Sequence, residues 1–306
     1  MNNRGPSREA RLLIEQAEGS ELDTPTLENI DQLRKGTLES FKPSVDWSLD
    51  KYPADIEDIR INNIPCQQVT SAGWSEESGL CLQYGFGGGF VCGSPFEDLI
   101  ITLPLAHFLK ARIIIVDYRL APEYPYPAQV NDFMAVYPEL LTIYGSDRLV
   151  VAGESAGGNL ALNLLVRARD AGLDLPRCVA LFSPWLDLTH QGDSHVTNDG
   201  RDPTLSNAWV NHAAKLFVAN SALEDPGISP LFADLNGLPP LIVSSGSREL
   251  LLSDSLKLAC AIRKAGGVCD LRIWEDLWHV FEFYPQLPEA QQSLRETADF
   301  IRLYSS

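Results

Sequence analysis

The sequence predicts an α/β fold with a mostly parallel central sheet, flanking helices and a helical cap. Three observations predict it. From Ile56 onward, short apolar runs of strand character alternate with helical patterns. The run Val150-Val151-Ala152 leads through Gly153-Glu154-Ser155-Ala156-Gly157 directly into a helical pattern. Finally, more than fifty residues separate the strand ending near Ser183 from the next near Leu241, where an ordinary crossover needs far fewer.

Taken in order, residues Arg8 to Ala17 and Thr26 to Phe41 read as two helical pieces. The second carries Leu27, Ile30, Leu33, Leu38 and Phe41, an apolar set that needs something to cover. Strands are expected at Ile56 to Ile61, Gln67 to Thr70, Leu80 to Tyr84 and the fully apolar Ile113 to Val116. Next come a strand at Leu149 to Ala152 with a helix from Ser155 to Asp170, then a strand at Cys178 to Phe182. A strand at Leu241 to Ser245 precedes a helix at Asp254 to Ala265, and a strand at Leu271 to Trp274 precedes a last helix ending near Tyr304. Such alternation implies parallel strands with helices on both faces. The long interval, Asp187 to Asp234, contains one helical pattern at Ser206 to Asn220 and reads as a cap insertion that meets the amino-terminal helices over the sheet's carboxyl edge. The expected division is cap at 1–45, core at 46–186, cap at 187–234 and core at 235–306.

A chain of 306 residues can bury a large core. Its 41 acidic against 24 basic residues, a formal charge of -17, would repel nucleic acid rather than gather it. No run approaches the ~20 apolar residues of a membrane span, and the first twenty residues hold no signal-like apolar core. A soluble, cytoplasmic protein is expected. Cys66, Cys81, Cys92, Cys178, Cys260 and Cys269 form no Cys-x-x-Cys pair and read as free, buried thiols. His107, within an apolar helical stretch, reads as packed.

The Gly153 to Gly157 turn has the strand before and helix after that a nucleophile elbow requires. The bland alternative is a glycine-rich turn without chemistry. A serine hydroxyl needs a base to take its proton. Among His107, His190, His195, His212 and His279, only His279 follows a late strand and would emerge on the same sheet edge as Ser155. The carboxylate that orients the base should lie between them in sequence, and Glu249 and Asp254 compete for that place. Asp254 also reads as a helix-start residue, so Glu249, in the loop itself, is favoured. Upstream, Gly87-Gly88-Gly89 follows a strand and can bring backbone N–H groups close to a developing oxyanion. A phosphate loop is the rival, but no Lys-Ser or Lys-Thr follows these glycines.

With these motifs stand Asp117-Tyr118-Arg119-Leu120-Ala121-Pro122-Glu123, Ser183-Pro184-Trp185-Leu186-Asp187-Leu188, Asp202-Pro203-Thr204-Leu205, Ser229-Pro230-Leu231 and Gly237-Leu238-Pro239-Pro240. Together they resemble the hormonesensitive-lipase-like (bacterial family IV) esterases of the α/β-hydrolase superfamily over nearly the whole chain. The resemblance implies Ser155, Glu249 and His279 as catalytic residues, with oxyanion donors on the N–H groups of Gly87, Gly88 and Ala156. It assigns the Asp117 to Glu123 segment a structural role behind the site. Two residues depart from the pattern: Glu154 stands where aspartate is usual and Phe86 where histidine is usual.

The implied activity is hydrolysis of short- or medium-chain acyl esters, with lactones as a further class, through an acyl-enzyme. The partner would be a small-molecule ester, and no metal or organic cofactor is required. Phe90, Trp209 and Phe217 are candidates for lining the pocket, with core packing the alternative for each. The competing class is a weakly active or inactive ligand-binding protein on the same fold, for which Phe86 is the one favourable feature. A homodimer is allowed, and sequence does not decide the oligomeric state.

Overall fold

The computed structural model describes residues 5–17 and 23–305, so residues 1–4 and 18–22 of the first expected cap segment lie outside the described residues. Eight strands form one sheet in the order β1-β2-β4-β3-β5-β6-β7-β8. They are β1 (Ala54–Ile61), β2 (Ile64–Ser71), β3 (Cys81–Gly85), β4 (Arg112–Val116), β5 (Leu149–Glu154), β6 (Cys178–Phe182), β7 (Leu241–Gly246) and β8 (Cys269–Trp274). The β1/β2 and β2/β4 pairs are antiparallel and the other five are parallel. Burial follows this division. β3, β5, β6 and β7 are buried along their whole length, as strands covered on both faces must be, whereas β1 at the edge alternates between half-buried and exposed residues.

The helices are α1 (Arg8–Ala17), α2 (Ile30–Lys51), α3 (Leu99–Leu109), α4 (Ala128–Tyr144), α5 (Ala156–Asp170), the single turn α6 (Ser194–Thr197), α7 (Asn207–Val218), α8 (Leu252–Lys264) and α9 (Pro288–Ser305). Asn29 prepares the entry to α2. Its side-chain oxygen accepts from Thr26 N at 2.8 Å and its amide donates to Thr24 O at 2.9 Å. The sequence pattern stops this helix at Phe41, but the structure carries it through Pro43 to Lys51 and past the expected 45/46 boundary. Proline removes one N–H but does not end the helix, because the following turns bury Val45 and Ser48 against the core.

Two other expectations are corrected. His107 is exposed near the carboxyl end of α3, its ring centroid 5.2 Å from that of Tyr52. Cys260 lies on the exposed face of α8, while the other five cysteines are buried; all six are free. Among the described residues no helix is long and apolar enough to cross a membrane.

Register brings the functional loops together. Gly85 pairs with Gly153, Glu154 with Phe182, and Gly246 with Trp274. The segments after β3, β5, β6, β7 and β8 therefore leave one edge of the sheet side by side. The first two are almost in backbone contact, since a Cβ on Gly157 would collide with the Gly85 carbonyl. Only glycine permits that approach.

Candidate active site

Ser155 stands between β5 and α5 with φ 51° and ψ -117°. A non-glycine residue in such a conformation costs about 1–3 kcal/mol and persists only where its surroundings hold it. They do: Ser155 N donates to Phe182 O at 2.9 Å, and Trp185 N donates to Ser155 O at 3.0 Å. Gly153 and Gly158 supply the room, because a Cβ on either would clash with the Gly157 backbone or with Pro184. The hydroxyl opens into a cavity of about 670 Å³, within the range of small-molecule sites.

His279, on the loop after β8, brings Nε2 to 3.0 Å from Ser155 Oγ. The apolar residues Leu277, Trp278 and Phe281 anchor this loop by packing with Ala10 of α1. His279 Nδ1 faces Glu249 Oε2 at 3.7 Å, and neither atom has a hydrogen-bond partner. That separation makes an ion-pair contact rather than a formed hydrogen bond, a looseness common in catalytic sites without substrate. The other Glu249 oxygen accepts from Ser245 Oγ. Burial opposes protonation of His279, but Glu249 and then the charges of Asp202 and Glu154 outweigh it, leaving the imidazole pKa above its ordinary value of 6.5.

Asp254 does not reach the histidine. Its carboxylate accepts from Leu186 N at 2.7 Å and Asp187 N at 2.9 Å, holding the turn after β6, and burial pushes its pKa up to about 7. Of the two competing carboxylates, only Glu249 stands against the imidazole.

The glycine loop is held by its carbonyls. Tyr118 Oη donates to Phe86 O at 2.7 Å and to Gly87 O at 3.2 Å, and its ring stacks on that of Phe86 with centroids 4.1 Å apart. Gly88 O accepts from Val91 N at 3.1 Å, Cys92 N at 3.0 Å and Cys92 Sγ at 3.3 Å. In a trans peptide the N–H points opposite to the preceding C=O. The Glu154 carboxylate lies against Gly87, where an added Cβ would collide with it. Fixing Gly87 O and Gly88 O turns away the N–H groups of Gly88 and Gly89, and no acceptor among the described residues takes either one.

The Gly89 N–H thereby joins those of Gly87, Gly88 and Ala156 as a candidate donor to the oxyanion. Gly88 and Gly89 have φ of 84° and 61°, which favours glycine at both. Phe86 does not loosen the loop: Tyr118 does the anchoring. Glu154 lies against the loop at Gly87, its own pKa pushed up to about 7 by burial, which the His279 charge only partly offsets.

Sequence reasoning gave no role to Asp202 or Asn198, and to Tyr118 only the structural role of its segment behind the site. Asp202 Oδ2 accepts from Leu250 N at 3.2 Å and His279 N at 3.3 Å, tying the Glu249 and His279 loops together. Asn198 Nδ2 donates to Glu249 O at 2.9 Å. The signal for Asp202 and Tyr118 was their place in shared family segments; Asn198 had none. Of the three aromatic pocket candidates, Trp209 lines the cavity. Phe90 and Phe217 are corrected to core residues, fully buried and stacked on each other at 3.9 Å. From α2, Leu33, Gly36, Thr37 and Phe41 form the facing wall. Among the described residues no group of three or more His, Cys, Asp or Glu could hold a metal ion.

Residues 82–283 match the family described as the alpha/beta hydrolase fold. The chain belongs to that family. It is 34% identical over 252 residues to an acetyl-hydrolase of Streptomyces hygroscopicus, covering 82% of this chain and 83% of that protein. Its fold superposes on an esterase/lipase from an uncultured bacterium with a TM-score of 0.89 at 32% identity, covering 98% of this chain and 99% of the other. A hormone-sensitive lipase from a metagenome library gives 0.87 at 32% identity, covering 99% and 100%. These likenesses place the chain among the hormone-sensitive-lipase-like members and make it a carboxylic-ester hydrolase.

Proposed function

We propose that the protein is a serine carboxylesterase acting on short- to medium-chain acyl esters, and on lactones, through an acyl-enzyme at Ser155. The observation that carries this reading is the 3.0 Å contact between His279 Nε2 and Oγ of a strained Ser155, opposite N–H groups that no acceptor among the described residues takes. In the proposed reaction Oγ attacks the ester carbonyl carbon and its proton passes to His279 Nε2. The carbonyl oxygen takes the charge and accepts from N–H groups among those of Gly87, Gly88, Gly89 and Ala156. Glu249 steadies the imidazolium. Collapse expels the alcohol oxygen, which takes the proton from His279. A water then gives a proton to His279 and attacks the acyl carbon; collapse expels Ser155 Oγ, which takes that proton back from His279, and the carboxylic acid leaves.

Acetyl esters are favoured within this class, because a relative covering four-fifths of the chain is named an acetyl-hydrolase. In this reading residues 1–45 and 187–234 form the cap, supported by the facing contributions of α2 and Trp209 to one cavity. The ligand-binding alternative loses its main support, since Phe86 stacks on Tyr118 in a pinned loop. A fluorophosphonate probe should label Ser155, and p-nitrophenyl esters from acetyl to decanoyl, run beside lactones, should show the preference. An unlabelled Ser155 in folded protein would sink the reading.

A further inference from the structure

Helix α2 brings one guanidinium to the back of the oxyanion turn. Arg34 Nε donates to Val91 O at 2.9 Å, and Nη2 donates to Ala121 O at 2.9 Å. Nη1 and Nη2 each reach the Glu123 carboxylate at 2.8 Å, a two-pronged pairing that fixes the plane of the guanidinium. Ala121 N in turn donates to Phe90 O at 2.9 Å, so the segment that Arg34 holds also holds the turn. The Arg34 side chain retains 24% exposure.

The direction of these bonds matters. Val91 O, which Arg34 holds, lies opposite the Cys92 N–H in the same peptide unit, and Cys92 N donates to Gly88 O at 3.0 Å. Gly88 O lies opposite the Gly89 N–H, the group left facing the cavity. The guanidinium thus stands at one end of a run of two aligned peptides whose other end would meet the oxyanion. Hydrogen bonds arranged in series polarise one another, and a cation at the donor end strengthens the last donor. Among the described residues no Lys or Arg lines the cavity itself.

We propose that Arg34 is a positioning residue for the reaction, orienting and polarising the Gly89 N–H through the Val91–Cys92 and Gly88–Gly89 peptides. Its neighbours Leu33, Gly36 and Thr37 form part of the cavity wall, so seating α2 completes the pocket and sets the oxyanion turn in one event. The inference rests on the esterase reading above.

The test compares wild type with Arg34→Ala, Arg34→Met and Glu123→Gln on p-nitrophenyl acetate, alongside melting temperature and the rate of fluorophosphonate labelling. Arg34→Met keeps the aliphatic stem, so it carries the comparison if the alanine variant does not fold. Removing one oxyanion donor typically lowers turnover ~10²–10³-fold, and an indirect effect should be smaller. Both Arg34 variants are expected to lose about ten- to a hundredfold in kcat and in labelling rate, with KM changing less than about threefold. Glu123→Gln, which leaves the bond to Val91 in place, should lose less than about threefold. Guanidinium chloride at low concentration should restore part of kcat to Arg34→Ala, whose cavity admits the ion, and none to Arg34→Met. Folded Arg34 variants with unchanged kcat, or with only a raised KM, would overturn the proposal. So would a kcat loss in Arg34→Ala that tracks a fall in melting temperature and that guanidinium does not relieve. A wild-type protein that neither labels nor hydrolyses esters would instead overturn the esterase reading.

Discussion

Two carboxylates follow β7 within one short stretch, and their surroundings assign them different tasks. Glu249 faces the imidazole, while Asp254 accepts two backbone N–H groups of the turn after β6. Glu249→Gln should therefore lower kcat by ~10²–10⁴, the range expected when the base loses its orienting charge. Asp254→Asn keeps an acceptor for the same N–H groups and should retain turnover within about tenfold, with any penalty appearing in melting temperature. If steady-state kinetics show the larger loss in Asp254→Asn, the assignment fails. His279 must be neutral to act as base, and its pKa is raised. The kcat/KM profile should accordingly fall as pH drops through a value above 6.5. Ser155 and His279 were legible in the sequence because local context marks them: a strand, small residues and a helix for one, a late loop for the other. The donor register was not, because it depends on peptide orientation. Tyr118 imposes that orientation from outside the loop.

At the scale of elements, the loop after β3 and helix α7 are each held by a few identifiable bonds. Tyr118→Phe would keep the ring stack on Phe86 but strand two carbonyls, at about 1–3 kcal/mol for a buried unsatisfied group. A roughly ten- to hundredfold fall in kcat for acetyl esters is expected, with little change in KM. Helix α7 is tied by two imidazoles: His190 Nδ1 contacts Asn211 Oδ1 at 3.0 Å and His195 Nδ1 contacts Asn207 Oδ1 at 3.1 Å. Trp185 Nε1 donates to His190 Nε2 at 3.2 Å, which requires that nitrogen to be unprotonated. Burial, then the neighbouring His195, lower the His190 pKa to about 4. The unfolded chain gains this proton near 6.5 and the folded chain only near 4, so the stability involved is present above 6.5 and lost as pH falls toward 4. Protection factors of the α7 amides, the exchange rates corrected for their intrinsic pH dependence, should fall over that interval, and factors that stay flat from pH 6.5 to 4 would count against this account. The strands were the most legible elements, since apolar runs bounded by turns have few other places to go. Helix α2 was misjudged beyond Phe41, because tertiary burial of Val45 and Ser48 outweighs the local signal of Pro43.

Across the whole molecule, buried carboxyls set the response to pH. Glu154, Asp254 and Glu282 are each raised to about 7, mainly by burial. Each keeps a proton near pH 6 that the unfolded chain has already released, so its contribution to stability is present at low pH and lost as pH rises through 7. At on the order of 1 kcal/mol each between pH 6 and 8, they should make the melting temperature higher at pH 6 by several degrees. Relief of repulsion in a chain of net charge -17 acts in the same direction. Activity should follow the opposite trend, so calorimetry and kinetics on one sample at the two pH values would check both. The contact between Gly85 and Gly157 carries a different consequence. The strand that leads to the charge-receiving loop and the helix that follows the attacking oxygen meet backbone to backbone, with no side chain between them to lengthen or shorten. Substitution cannot easily respace the reacting centre. Libraries aimed at new substrates are therefore better spent on the α2 face and Trp209, where walls can be reshaped while the spacing stays fixed.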